Sequence, residues 1–208
     1  MRINTIRLRV VVGAAGMLLP WIVALLVWDI PASISATWYT NAGTVFMIIL
    51  GGASGLLICY KGYDLVDDIL LTCSGIAGLG ICLFPCSLNS YSHEKVGTFL
   101  VDMQVSNLIH CACAVVFFAL LAYNSVFLFT KSSGEITSRK KARNTIFRVC
   151  GVGMLISFAI LLLPEFEIQI WLTETFALTF FGISFLTKAN VFPFLFSDER
   201  DSLHLNNT

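Results

Sequence analysis

WLTETFALTFFGISFLTKA, residues 171–189, decides how this chain is read. At 1.5 Å per residue such a helix reaches about 28 Å, close to the roughly 30 Å hydrocarbon core of a bilayer. It carries one acid inside the run, Glu174. A carboxylate in hydrocarbon costs about 2.5–3.5 kcal/mol even on the lenient insertion scale, so it needs a partner or a task.

The rest of the chain fits that environment. Of 208 residues, 57% are hydrophobic and 12% charged, with a mean hydropathy of +0.82. Soluble domains carry about 25% charged residues, so most of this surface is built to face lipid. The formal net charge is zero, which argues against a nucleic-acid partner. The seven cysteines are odd in number and show no repeated CxxC spacing. They read as small apolar packing residues, not as a disulfide framework or a zinc site.

Six apolar segments are long enough to span, at about 8–28, 43–60, 69–86, 107–129, 145–163 and 168–187. The expected fold is therefore all-α: a polytopic bundle of six transmembrane helices in one domain, 1–190, with a disordered polar tail, 191–208. The first segment is too long for a signal-peptide core and reads as an uncleaved helix. With the N-terminus in the cytoplasm, every Lys and Arg except Lys95 falls inside, including the run SRKKAR at 138–143. The positive-inside rule therefore places both termini in the cytoplasm. The outer loops, 29–43, 86–104 and 164–167, are acidic and aromatic. Gly51 and Gly55, with Ser74 and Gly78, have the small-xxx-small spacing that lets helices 2 and 3 pack closely.

Asn107 and His110 are three apart and share a helix face. Counted from the helix ends, His110, Ser157 and Glu174 lie at one depth, near the outer side. The sequence thus predicts a polar cluster of His110, Asn107, Ser157 and Glu174, covered by Ser33, Ser35, Tyr39 and Asn41 of the first loop. Three roles compete for it. It staples helices by hydrogen bonding; it binds a lipid-like or small polar ligand, or relays protons as in a proton-coupled permease; or His93, His110 and Glu174, with Asp102, hold a zinc ion for hydrolysis of a lipid amide or ester. No HxxxH or HExxH pair is present. Arg148 and the SRKKAR run read as topology determinants that touch anionic lipid.

Several blocks in order, SISATWYTNAGTVF, YKGYDLVDD, GLGICLFP, NLIHCACAVVFFALLAYNSVFLF and the opening stretch itself, resemble a family of bacterial multi-pass membrane proteins of unassigned activity. The resemblance implies a bacterial inner-membrane location and transfers no catalytic residue. A more distant resemblance, to membrane hydrolases of the alkaline ceramidase and progestin-receptor type, rests on Ser35, Asp67 or Asp68, and His110. That group has seven helices and paired histidines around zinc, where this chain has six predicted helices and no such pair. The expectation is a non-enzymatic inner-membrane protein without a cofactor, its partners membrane lipids and a lipid-like or small-molecule ligand bound at Glu174, His110, Asn107, Ser157, Ser35 and Tyr39.

Overall fold

A computed structural model describes residues 5–62, 64–88, 95–132, 137–164 and 166–192. His93 and residues 193–208 of the predicted tail lie outside the described residues. Six α-helices are present among them: α1 (Thr5–Val27), α2 (Gly43–Ile58), α3 (Leu65–Leu83), α4 (Met103–Tyr123), α5 (Ser138–Ser157) and α6 (Gln169–Lys188). A 3-10 turn, Ser35–Tyr39, precedes α2, and a two-residue hairpin, β1 (Lys95–Val96) with β2 (Val101–Asp102), precedes α4. Five of the helices are long and apolar enough to cross a bilayer. The sixth, α2, has 16 residues, about 24 Å of helix, and ends short of the predicted 43–60.

Capping chemistry moves two of the predicted starts outward. Asp64 accepts a hydrogen bond from the Asp67 N–H at 3.0 Å, so α3 begins at Leu65, not 69. Asp67 and Asp68 then sit in its first turn, where the helix dipole favours negative charge. Thr137 caps α5 in the same way, accepting from the Lys140 N–H at 3.2 Å. The helix therefore takes in the whole SRKKAR run instead of starting at 145. Hydropathy finds where a helix meets lipid; a cap finds where it starts. At the other end of α6, Asn190 adopts φ 56°, Asn190 N–H donates to Thr187 O, and Val191 N–H donates to Leu186 O. This is a Schellman stop with Asn in the left-handed position.

The helices close into a ring in chain order, each packing on the next, and α6 packs back on α1. Phenylalanines fill the axis: Phe117 meets Phe181 at 6.3 Å, Phe181 meets Phe185 at 4.7 Å, and Phe129 touches both Phe185 and Phe147. Phe46, Phe147, Phe181 and Phe185 are fully buried, whereas Leu25, Ile48, Leu108, Val115 and Ile156 on the outside are exposed. A soluble monomer rarely shows an apolar girdle of this extent.

Glycine contacts set the close approaches at two seams in particular. At the α1–α6 seam a Cβ on Gly182 would stand 2.7 Å from Gly13 O. Between α2 and α3 the contact is Ser54 against Gly75 and Gly78, since a Cβ on Gly75 would meet Ser54 O at 2.5 Å. The predicted Gly51/Gly55 motif does not make this contact: Gly51 has only Cys82 Sγ at 3.8 Å, and Gly55 faces open space.

Candidate functional site

The first loop folds back on the start of α6. Trp171 N–H, one of the amides that a helix N-terminus leaves without an internal partner, donates to Ala32 O at 3.0 Å. One turn further on, the Glu174 carboxylate receives Ser33 Oγ at 3.0 and 3.2 Å, Ser35 Oγ at 2.8 Å, and the Ile34 N–H. Ser33 Oγ also accepts from Ala36 N–H at 3.3 Å, which directs its own hydrogen to the carboxylate. Both serines are buried and Glu174 is half-buried. Every partner is a donor, the arrangement suited to an ionised carboxylate. The expected cover residues Ser33 and Ser35 thus become the direct partners of Glu174.

His110 does not reach Glu174, and the ring order explains why: α4 packs between α3 and α5. His110 instead serves the broken end of α3. Pro85 cannot continue a helix and pushes Phe84 into an extended conformation, which leaves several carbonyls without helical donors. His110 Nδ1–H donates to Phe84 O at 2.8 Å, Ser106 Oγ to Pro85 O at 2.8 Å, and Tyr39 OH to Cys86 O at 2.9 Å. Trp38 Nε1 donates to Cys82 O at 3.2 Å, and Asn107 Oδ1 accepts from Ser87 N–H at 2.8 Å. His110, Asn107 and Tyr39, expected to contact a ligand, therefore satisfy backbone at one helix break. Asn41 caps the end of α1 through Leu26 O at 3.0 Å. Sequence reasoning passed over Ser106 and took Trp38 only as an interfacial aromatic, although Phe-Pro-Cys at 84–86 was a readable signal that carbonyls there would need donors.

The Cys86 thiol lies beside this region. Burial, reinforced by the nearby Glu174 and Cys111, pushes it up to about 12, so it stays protonated and is no nucleophile near neutrality. Among the described residues no three His, Cys, Asp or Glu side chains converge as metal ligands. Ser35 is held at one end of α2. At the other end Asp67 pairs with Lys131 at 3.1 Å and Asp68 with Lys61 at 3.1 Å. The Ser, Asp and His of the hydrolase resemblance are not assembled.

The opposite end of the ring is basic. Arg9 donates to Tyr60 OH at 2.8 Å and to Lys188 O at 3.3 Å. Lys188 Nζ donates to Phe129 O at 3.2 Å and lies 5.0 Å from the centre of the Phe129 ring. Phe129 follows a π turn, Asn124–Leu128, that extends α4. Arg143 donates to Asn190 Oδ1 at 3.2 Å, and Lys131 bonds Asp64 at 2.7 Å. The Lys131 partner holds the Asp64 carboxyl below the usual carboxylate range, and Asp64 in turn raises the Lys131 ammonium.

Ser157 belongs to a different place again. Its hydroxyl donates to Gly153 O at 2.8 Å, and the residue lines a groove of about 610 Å³ between α5 and α6. Arg148, Val149, Val152 and Ile156 form one stripe of α5, which reaches Ile160 in the 3-10 turn that follows it. Phe176 and Phe180 of α6 form the facing wall. Gly153 makes the floor: a Cβ there would stand 2.8 Å from three atoms of the Phe180 ring. With the Ser157 hydroxyl turned onto backbone, the exposed lining is apolar, and Arg148 borders it at one end. No family model, curated protein or solved structure matches the chain.

Proposed function

We propose that this chain is a multi-pass protein of the bacterial inner membrane that crosses six times, keeps both termini in the cytoplasm, and acts as a non-catalytic binder of membrane lipid. The observation that carries the lipid reading is the groove between α5 and α6. Its volume, about 610 Å³, falls in the range of ligand sites, roughly 300–1,000 Å³. Its walls include Val149, Val152, Ile156 and Phe176, all exposed on the outside of the ring. In a bilayer those residues face acyl chains, and one chain fills the groove.

The six-crossing reading adds α2 and the 3-10 turn before it to the five long helices. The orientation rests on charge. The start of α1 meets the end of α6 where Arg9 bonds Lys188 O, and Lys131, Lys140 and Arg143 gather at that end. The positive-inside rule makes it cytoplasmic. The outer polar site then works as a closed latch, its carboxylate occupied by the loop.

Lipid analysis after purification in mild detergent tests the reading. Wild-type protein should retain phospholipid through size exclusion, and Val152→Trp, which fills the groove from its exposed side, should lose it. Equal retention by the two proteins would sink the lipid assignment. A reporter fused after Thr208 should be active only in the cytoplasm; periplasmic activity would reverse the orientation.

A further inference from the structure

Arg148 borders the groove at one end, and the lining beyond it is apolar. From Arg148 to Ile160 there are twelve positions, about 18 Å along a helix. Half of a roughly 30 Å hydrocarbon core is about 15 Å. A chain anchored beside Arg148 would therefore run along Val149, Val152 and Ile156, pass the bilayer midplane, and end near Ile160 and Phe176, close to the outer loop 164–167.

Arg148 is exposed on this face. The ion pairs at the nearby basic end join Lys131 to Asp64 and Asp67, and Arg148 takes part in none of those among the described residues. It lies two turns beyond Lys140 and Lys141 on α5, where the apolar part of the helix begins. A guanidinium here snorkels toward the interface, and its fork of donors matches the two oxygens of a phosphodiester better than it matches a neutral hydroxyl or a carbonyl. Zwitterionic headgroups carry a cation that this basic end disfavours. Arg139, Lys140, Lys141 and Arg143 precede Arg148 on the same helix, and a basic stretch beside a membrane favours net-negative headgroups.

We infer that the groove takes an anionic phospholipid of the cytoplasmic leaflet, its phosphate on Arg148 and one acyl chain along Val149, Val152 and Ile156 against Phe176 and Phe180. This rests on the lipid reading above and adds headgroup charge and leaflet to it. The site is a selective lipid seat, distinct from the polar latch around Glu174.

The test uses the full chain in nanodiscs containing equal parts phosphatidylglycerol and phosphatidylcholine, followed by native mass spectrometry of the lipids that remain bound. One Lys or Arg near an anionic surface contributes about 1 kcal/mol, or roughly a fivefold preference. Wild type should hold phosphatidylglycerol over phosphatidylcholine by about that factor. Arg148→Gln should bring the ratio near one while still holding lipid, and Arg148→Lys should restore much of it. Val152→Trp should hold neither. An unchanged ratio in Arg148→Gln overturns the headgroup assignment and leaves the groove standing. Full lipid retention in Val152→Trp overturns the groove itself. A dimer that carries no lipid and dissociates in Val152→Trp would show a second copy in the groove and overturn both. Melting temperatures of all variants, measured alongside, identify any that lose lipid by unfolding.

Discussion

Replacing Glu174 with Gln keeps the shape of the side chain and removes its charge, which makes it a direct test of the latch. In the wild type, Oε1 receives Ser33 and Ser35, while Oε2 receives Ser33 and the Ile34 N–H. An amide presents one acceptor and one donor, so half of the contact surface turns from attraction to repulsion. Hydrogen bonds to a charged group contribute about 1.5–3 kcal/mol, and the substitution loses about one such bond and weakens the others. An opposing term arises because the charge no longer has to be held near lipid. At the midplane that relief is about 2.5–3.5 kcal/mol, but Glu174 lies five residues into α6, about 7–8 Å from its start, where the relief is smaller. The latch wins by about 1–2 kcal/mol, a factor of roughly 5–30 in local opening. Hydrogen exchange on protein in nanodiscs reads this directly. The Trp171 amide, bonded to Ala32 O, and the Thr37 amide, bonded to Ile34 O, should exchange about 5–30 times faster, with amides in the middle of α3 unchanged. Unaltered protection at Trp171 and Thr37 would refute the latch. Equal acceleration throughout would show that Glu174 supports the whole bundle and not the loop.

Other consequences follow from the same geometry. Gly182→Ala places a methyl group against Gly13 O and should destabilise the α1–α6 seam by about 1–3 kcal/mol. Gly55→Ala, with open space around it, should be neutral or stabilise by about 0.5–1 kcal/mol; thermal melting in detergent separates the two. His110→Ala leaves Phe84 O without its donor and should cost about 1–3 kcal/mol, read the same way. Cys86 should resist maleimide at pH 7–8 in the folded protein and react once denatured. Because its thiol is raised from 9.0 to about 12 by burial, the neutral form is favoured in the fold. That contribution is complete below about pH 9 and is lost as pH rises toward 12, so Cys86→Ser should reduce the alkaline loss of stability over that window. The Asp64–Lys131 contact behaves in the opposite way at its acid edge. Asp64 is lowered from 3.8, so its contribution is present above that pH and fades below it, and added salt should weaken this exposed pair.

The helix positions were legible because apolar runs of bilayer length have few alternatives. Their starts were less so: α5 reaches back to Ser138 through a water-facing basic turn that hydropathy scores as loop. Glu174 stood out as an acid that needed a partner. Of the four loop residues expected to cover its cluster, Ser33 and Ser35 bond Glu174 directly, while Tyr39 and Asn41 bond backbone elsewhere. The choice of His110 as its partner failed because equal depth says nothing about order around a ring. With α5 between α4 and α6, the two side chains face different neighbours. The same polar residues had a nearer use, since Pro85 breaks α3 and the freed carbonyls at a helix end need donors. Ser157 fails differently, because a serine inside a membrane helix can satisfy itself on the preceding turn. The groove was illegible, since it arises from a glycine on one helix and two phenylalanines on another, a pairing that only packing reveals.

The seam between α1 and α6 bears on how the chain is made. Arg9 and Lys188 O, bonded in the finished protein, are 179 residues apart. At roughly 5–20 residues per second, α1 waits about ten to forty seconds for α6. During that time Arg9 and the Gly13 face have no α6 to cover them, and the ring is an open arc. Closure of the ring therefore waits on α6. Until α6 is made, a buried-type arginine and a bare glycine face stand open along α1.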